Sequence, residues 1–159
     1  MPNYPLARKQ AENLLTKFKI NTPPVDPEAI AEASGIDVVY VQFAGDLDDE
    51  ISGFFDFESD TIYVNKNLPA NRKTFTIAHE LAHAMMHKEY AKSKDYIALP
   101  RLNVLKEKSD VEKEADVFAA CLLVPKKMLK NFSHYASIPE LSRMFAVSEE
   151  VVAHQKKYI

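Results

Sequence analysis

Apolar residues recur at helical spacing from the start of the chain. Ala7, Ala11, Leu14, Leu15 and Phe18 fall on one face of a 3.6-residue period and predict an amphipathic helix. The run NTPPVDP interrupts it. Asp26 followed by Pro27 supplies an N-cap and a first-turn residue, so a short helix is predicted over 27–34, with Gly35 placed to end it. The pattern then changes period. Residues 36–43 are rich in β-branched and aromatic side chains and predict a strand, as do 51–57 and 61–65. Glu58-Ser59-Asp60 between the last two predicts a hairpin. Nothing breaks a helix over 71–90. Residues 91–109, with Pro100 and several lysines, read mostly as loop. A second strong helix is predicted over 109–124, ended by Pro125. Residues 126–159 read as helical in pieces, broken over 133–139. Three strands grouped early and helices grouped late predict an α+β fold, not an alternating α/β one.

Composition narrows the picture. A chain of 159 residues fits one domain over 1–159, with a core about 5–125 and a C-terminal helical part about 126–159. Hydrophobic residues make up 47% and charged residues 27%, close to the globular average, which excludes disorder for most of the chain. A net charge of −3 and a pI near 6.0 point away from a broadly basic surface, so no direct nucleic-acid contact is expected. Three glycines cannot build a phosphate-cradling loop, and neither GxGxxG nor GxxxxGK[ST] occurs. The single cysteine, Cys121, excludes an internal disulfide or a thiolate metal cluster and fits a reducing compartment. The first residues lack the apolar core of a signal peptide. The longest apolar run, 118–124, is too short for a bilayer. A cytoplasmic protein without membrane association is expected.

The chemistry sits at residues 79–83, His79-Glu80-Leu81-Ala82-His83, an HExxH. On a helix the two histidines lie one turn apart on the same face and can share a zinc ion. Glu80 projects about 100° away, where it can reach a water as a general base instead of the metal. Phe75, Ala78, Ala82, Met85 and Met86 form one apolar face, and Ile77, Leu81 and Ala84 another, so this helix is expected to be largely buried. Burying two histidines and a carboxylate without partners would cost several kcal/mol, and a metal with its water supplies partners for all three. Catalytic zinc usually takes a third protein ligand. A third histidine six residues on is excluded, because position 86 is Met and position 89 is Glu. His87, another turn along, is expected beside the site or at the surface, not on the metal. The helix over 109–124 is the better source. Glu112 and Asp116 share a face with Ala119 and Leu123, so Glu112 could reach the metal while Asp116 orients a histidine through its other ring nitrogen. Glu114 points about 200° away from Glu112. A competing reading exists: Ser109-Asp110-Val111-Glu112 is a capping-box sequence that would occupy Glu112 at the helix start.

The chain resembles the ImmA/IrrE family of zinc metallopeptidase-like proteins along nearly its whole length. The matching stretches are PPVDPEAIAEASGIDV, ISGFFDFESDTIYVN, FTIAHELAHAMMH and EKEADVFAACLLVP. The resemblance implies a compact zincin-like domain. It implies Zn2+ as the cofactor, with His79, His83 and Glu112 as metal ligands and Glu80 as the catalytic base. It further implies an antirepressor-type endopeptidase that cleaves a helix-turn-helix repressor of a mobile element, such as a prophage, or of a stress response. Ala82 stands where glycine is common in the family; alanine is the better helix former.

Two other readings compete. The fold could grip a repressor without cleaving it. Residues 140–154 also have the apolar spacing of a helix-turn-helix. Glu149 and Glu150 would open its second helix and repel phosphate, which favours a helical pair packed on the domain. The oxyanion donor is open among Tyr90, Tyr96, His134 and Tyr135. The hairpin over 51–65 offers an edge to an extended substrate.

Overall fold

The computed structural model describes residues 1–93 and 108–159. Helix α1 (Tyr4–Lys17) starts where the Asn3 side chain accepts from the Leu6 N–H at 3.1 Å, and it buries Ala7, Ala11, Leu14 and Leu15. Helix α2 (Pro27–Ala33) is capped by the Asp26 carboxylate, which accepts from the Glu28 and Ala29 N–H groups. Ser34 follows, and Gly35 turns the chain at a φ of +81°, a left-handed conformation that favours glycine. Strand β1 (Asp37–Val41), a four-residue helix α3 (Leu47–Glu50), and strands β2 (Gly53–Asp56) and β3 (Thr61–Asn65) come next.

The strands form one sheet in the order β1-β3-β2. Strands β2 and β3 are the antiparallel hairpin expected from the turn residues, and β1 runs parallel to β3. The register puts Val38, Ile62 and Phe55 in one row facing the core, with Ile62 and Phe55 buried. The alternating row is Val39, Tyr63 and Phe54, in which Phe54 stacks on Tyr63.

Helix α4 (Ala70–Met86) packs against β2, β3 and α2. The helix predicted over 71–90 is two pieces. His87 leaves helical geometry at φ −128°, ψ 40°, and a short α5 (Lys88–Ala91) follows. Most of the loop expected over 91–109 lies outside the described residues, as does Tyr96. Helix α6 (Asp110–Leu123) starts at Ser109, whose hydroxyl accepts from the Glu112 N–H at 3.3 Å. It lies against both α1 and α4. Ala115, Phe118, Ala119, Leu122 and Leu123 are fully buried along it. Burying Phe118 alone stabilises by roughly 2–3 kcal/mol. Small residues at the crossing, with Ala78 and Ala82 buried on α4, let the two backbones approach closely.

Pro125 leads into α7 (Lys126–Phe132), followed by α8 (Ile138–Phe145) and α9 (Glu149–Lys156). The break between the pieces is shorter than the sequence suggests. Pro139 lies inside the first turn of α8, where its missing N–H costs nothing. Left-handed Ala146 ends α8, and Ser148 caps α9. These helices share one hydrophobic cluster with the rest of the chain through Met128, Leu129, Leu141, Phe145, Val147 and Val152. The result is α+β. Among the described residues, no helix is long and apolar enough to cross a membrane.

Candidate metal centre

Helices α4 and α6 cross so that one face of each looks at the other. On α4 this face carries His79 and, one turn later, fully buried His83. On α6 it carries Glu112 and Asp116. The Glu112 carboxylate meets both histidines. Oε2 lies 2.8 Å from Nε2 of His79, and Oε1 lies 3.3 Å from Nε2 of His83. Asp116 takes the other ring nitrogen of His79, Nδ1, at 2.9 Å. The Lys108 ammonium donates to the second Asp116 oxygen. Glu80 is buried beside the pair, and His79, Glu80 and His83 offer ligand atoms within 4.8 Å of one another.

The two sequence readings of Glu112 act on different atoms. Its backbone N–H is capped by Ser109, while its carboxylate turns to the histidines. Tyr90, just past α4, donates its hydroxyl to Oε1 of Glu112 at 3.2 Å and lays its ring 5.5 Å from that of His83. His134 and Tyr135 fall in the connection between α7 and α8 and are exposed, Tyr135 at 71%.

The sequence reading left His87 beside the site or at the surface and gave Glu114 no part. His87 is buried, with its Nδ1 3.1 Å from Nδ1 of His83 and its Nε2 2.8 Å from Oε2 of Glu114. The other Glu114 oxygen accepts the Asn3 N–H at 2.6 Å. The available signal was the strict four-residue spacing of His79, His83 and His87. That spacing carries the third ring along the same row to where α4 ends.

Charge is strongly coupled in this cluster. Burial alone would lower the His79 pKa, but its hydrogen bonds to Asp116 and Glu112 and the negative charge of Glu80 outweigh burial and push it up to about 10. Burial would likewise raise the Glu112 carboxyl, yet the histidine contacts hold it well below the usual carboxylate range. For Asp116, too, burial is overcome by His79 and Lys108, and its pKa is lowered. Burial lowers the His87 pKa, aided by its neighbour His83 and opposed by Glu114.

These residues fit a metal ion on two counts. His79 has a carboxylate oxygen against each ring nitrogen, so each contact needs a proton or a cation between its atoms. The donors are two imidazole nitrogens and a carboxylate, a set that suits zinc. Donors on a four-coordinate zinc stand about 3.3–3.5 Å apart, which the observed spacings approach. A cleft of about 1160 Å³ opens in front, lined by His79, Glu80, Glu112 and Asp116. Glu50 and Ser52 border it from the sheet side, and α9 borders it through Glu150 and His154 among others. The helical pair is thus packed on the domain, with Val152 and Gln155 of α9 buried and the Gln155 amide donating to the Val124 carbonyl at 3.0 Å.

Comparison with known proteins places the chain in a family. The family model of the IrrE N-terminal-like domain, Peptidase_M78, matches residues 31–156. A curated relative, the uncharacterized immunity region protein 2 of Bacillus phage phi105, is 28% identical over 163 residues, which span 96% of this chain and 90% of that protein. Among solved structures, a Mycobacterium tuberculosis transcriptional regulator matches 94% of this chain at a TM-score of 0.66 and 20% identity. The likeness to that regulator is one of fold, and this chain spans 45% of its length. The family match takes in both helices that build the cluster, and the chain therefore belongs to the Peptidase_M78, or ImmA/IrrE, family of metallopeptidase-like domains.

Proposed function

We propose that the protein is a zinc-dependent endopeptidase that cleaves a helix-turn-helix transcriptional repressor of a mobile element or a stress response. One observation carries the reading. A single carboxylate, Glu112, closes on Nε2 of both motif histidines, with Glu80 beside them at an open cleft. His79, His83 and Glu112 would hold the ion, and three protein ligands leave one position for water or substrate. An ion held there would supply an acidified water and polarisation of the peptide carbonyl. Glu80 accepts the proton of the attacking water and passes it to the departing amine. Asp116 keeps the His79 ring in place through Nδ1. The substrate class draws support from the relatives, one named for a phage immunity region and one a transcriptional regulator. We put the activity in the cytoplasm, where such a repressor works, and assign residues 1–159 to one domain. Direct DNA contact by α8 and α9 is disfavoured, because one face of α9 is buried in the core, another lines the cleft, and its first turn carries Glu149 and Glu150.

The test is co-incubation with the repressor encoded beside the gene, with and without chelator. Glu80→Gln is expected to keep zinc and lose cleavage by about 10²–10⁴-fold, since the base is gone while the ligands remain. Cleavage by that variant at the wild-type rate overturns the mechanism. Tight binding of the repressor by the wild type without a cut favours the sequestering alternative.

A further inference from the structure

We infer that His87 and Glu114 form a positioning relay that holds His83 in the ring orientation and tautomer needed for its Nε2 to ligate the metal. The inference rests on the zinc reading above and extends it to two residues outside the ligand set. His83 is fully buried and faces Glu112 with Nε2. To offer a lone pair there, its proton must sit on Nδ1. That nitrogen lies 3.1 Å from Nδ1 of His87, which must then accept. The proton of His87 is thereby confined to Nε2, which donates to Oε2 of Glu114 at 2.8 Å. The remaining Glu114 oxygen is occupied by the Asn3 N–H at 2.6 Å. Every donor and acceptor along the row has one assignment, and it ends with a lone pair on His83 Nε2.

The two motif histidines are therefore supported alike from α6. Asp116 touches His79 directly, whereas Glu114 acts on His83 through an interposed imidazole. This explains why His87 is buried: its ring is aimed at the back of His83, on the side away from Glu112. Glu114 leaves α6 about 200° from Glu112, yet it is half-buried. Its carboxylate joins α6 to His87 and to the start of α1.

The experiment measures zinc affinity of the full chain by competition with a chromophoric chelator, at a temperature where circular dichroism shows each metal-free variant folded. His87→Leu and Glu114→Ala are each expected to weaken zinc binding by about 10–100-fold. The double variant should bind no worse than the weaker single one, because the residues act in series. His87→Gln, which offers an oxygen to His83 and an amide N–H to Glu114, should recover most of the affinity. If His87→Leu cannot fold, His87→Gln and wild-type imidazole 15N NMR still decide. The spectrum should show His83 protonated on Nδ1 and His87 on Nε2. Zinc affinity unchanged in folded His87→Leu, or the opposite tautomers, overturns the relay and leaves the zinc reading standing. Failure of the wild type to bind zinc overturns both.

Discussion

Gly53 is a position where the fold beneath the cleft has no room for a side chain. It opens β2, opposite Val64 of β3, and its φ is not in the left-handed region. Space, not backbone freedom, selects glycine there. A Cβ would stand 2.5 Å from the Tyr63 carbonyl oxygen and 2.8 Å from Cγ2 of Thr76. The first contact is backbone in the central strand and cannot rotate away. The second lies on α4, one turn before Glu80. Gly53→Ala must therefore push β2 off β3, or β2 off α4, by roughly half an ångström, at a cost of about 1–3 kcal/mol for overpacking. For a chain of this size about 2 kcal/mol lowers Tm by about 4–8 °C. Gly35→Ala is the matched control. Its Cβ meets nothing within 4 Å, but φ is +81°, so it should cost about 1–2 kcal/mol from backbone strain alone. Urea denaturation gives both values. The two variants then part at the site: Gly53→Ala should also weaken zinc binding, because the displaced α4 carries His79 and His83, whereas Gly35→Ala should not. If Gly53→Ala is within 0.5 kcal/mol of the wild type, the close approach of β2 to β3 and α4 is wrong.

Three further outcomes are expected. Glu112→Ala should purify with little zinc, whereas Ser109→Ala should keep zinc and lose about 1 kcal/mol of stability; metal analysis showing the reverse returns Glu112 to a purely capping role. In the metal-free protein, the His79 contribution is complete below its unfolded value of 6.5 and is lost as pH rises through about 10, while that of Glu112 is complete above 4.5 and is lost as pH falls. Thermal melts in chelator should therefore peak between about pH 4.5 and 6.5, and a Tm that climbs from pH 6.5 to 10 contradicts the His79 assignment. Buried Asn65 donates to the Asp48 and Ile51 carbonyls and accepts the Asn67 N–H, which fixes the segment leading to Glu50 and Ser52 at the cleft. Asn65→Leu leaves those backbone groups unsatisfied and should cost roughly 2–4 kcal/mol by urea titration.

What the sequence made legible follows from how local each signal is. Asp26-Pro27, Ser109 and Ser148 act within their own first turns, so three helix starts can be read directly. The turn residues 58–60 likewise report the hairpin. The parallel pairing of β1 with β3 depends on where the chain returns after α3 and β2, and no residue within β1 encodes it. The end of α4 at His87 has no breaker residue; the ring is drawn between His83 and Glu114, a contact with a residue far along the chain. The contact of Glu114 with His87 is hidden in the sequence for a related reason. An angle about the axis of α6 describes where a side chain leaves the helix, and a glutamate is long enough to reach a neighbour at its flank. Glu112 and Asp116 were easier because their shared face continues into buried Ala119 and Leu123.

The cluster joins residues that stand 33 positions apart in the chain. With zinc bound as proposed, the ion is a cross-link between α4 and α6, in a protein whose single cysteine rules out an internal disulfide. On a chain-entropy view, closing a loop of that span removes on the order of 4 kcal/mol of freedom from the unfolded state. Chelation would then loosen the whole domain and not just silence the cleft. The entropy of closure grows only with the logarithm of loop length, so ten extra residues between the two helices would cost about 0.2 kcal/mol. Lengthening the stretch between the helices would therefore cost little in closure entropy, while the cross-link still requires the ligands at its two ends to meet.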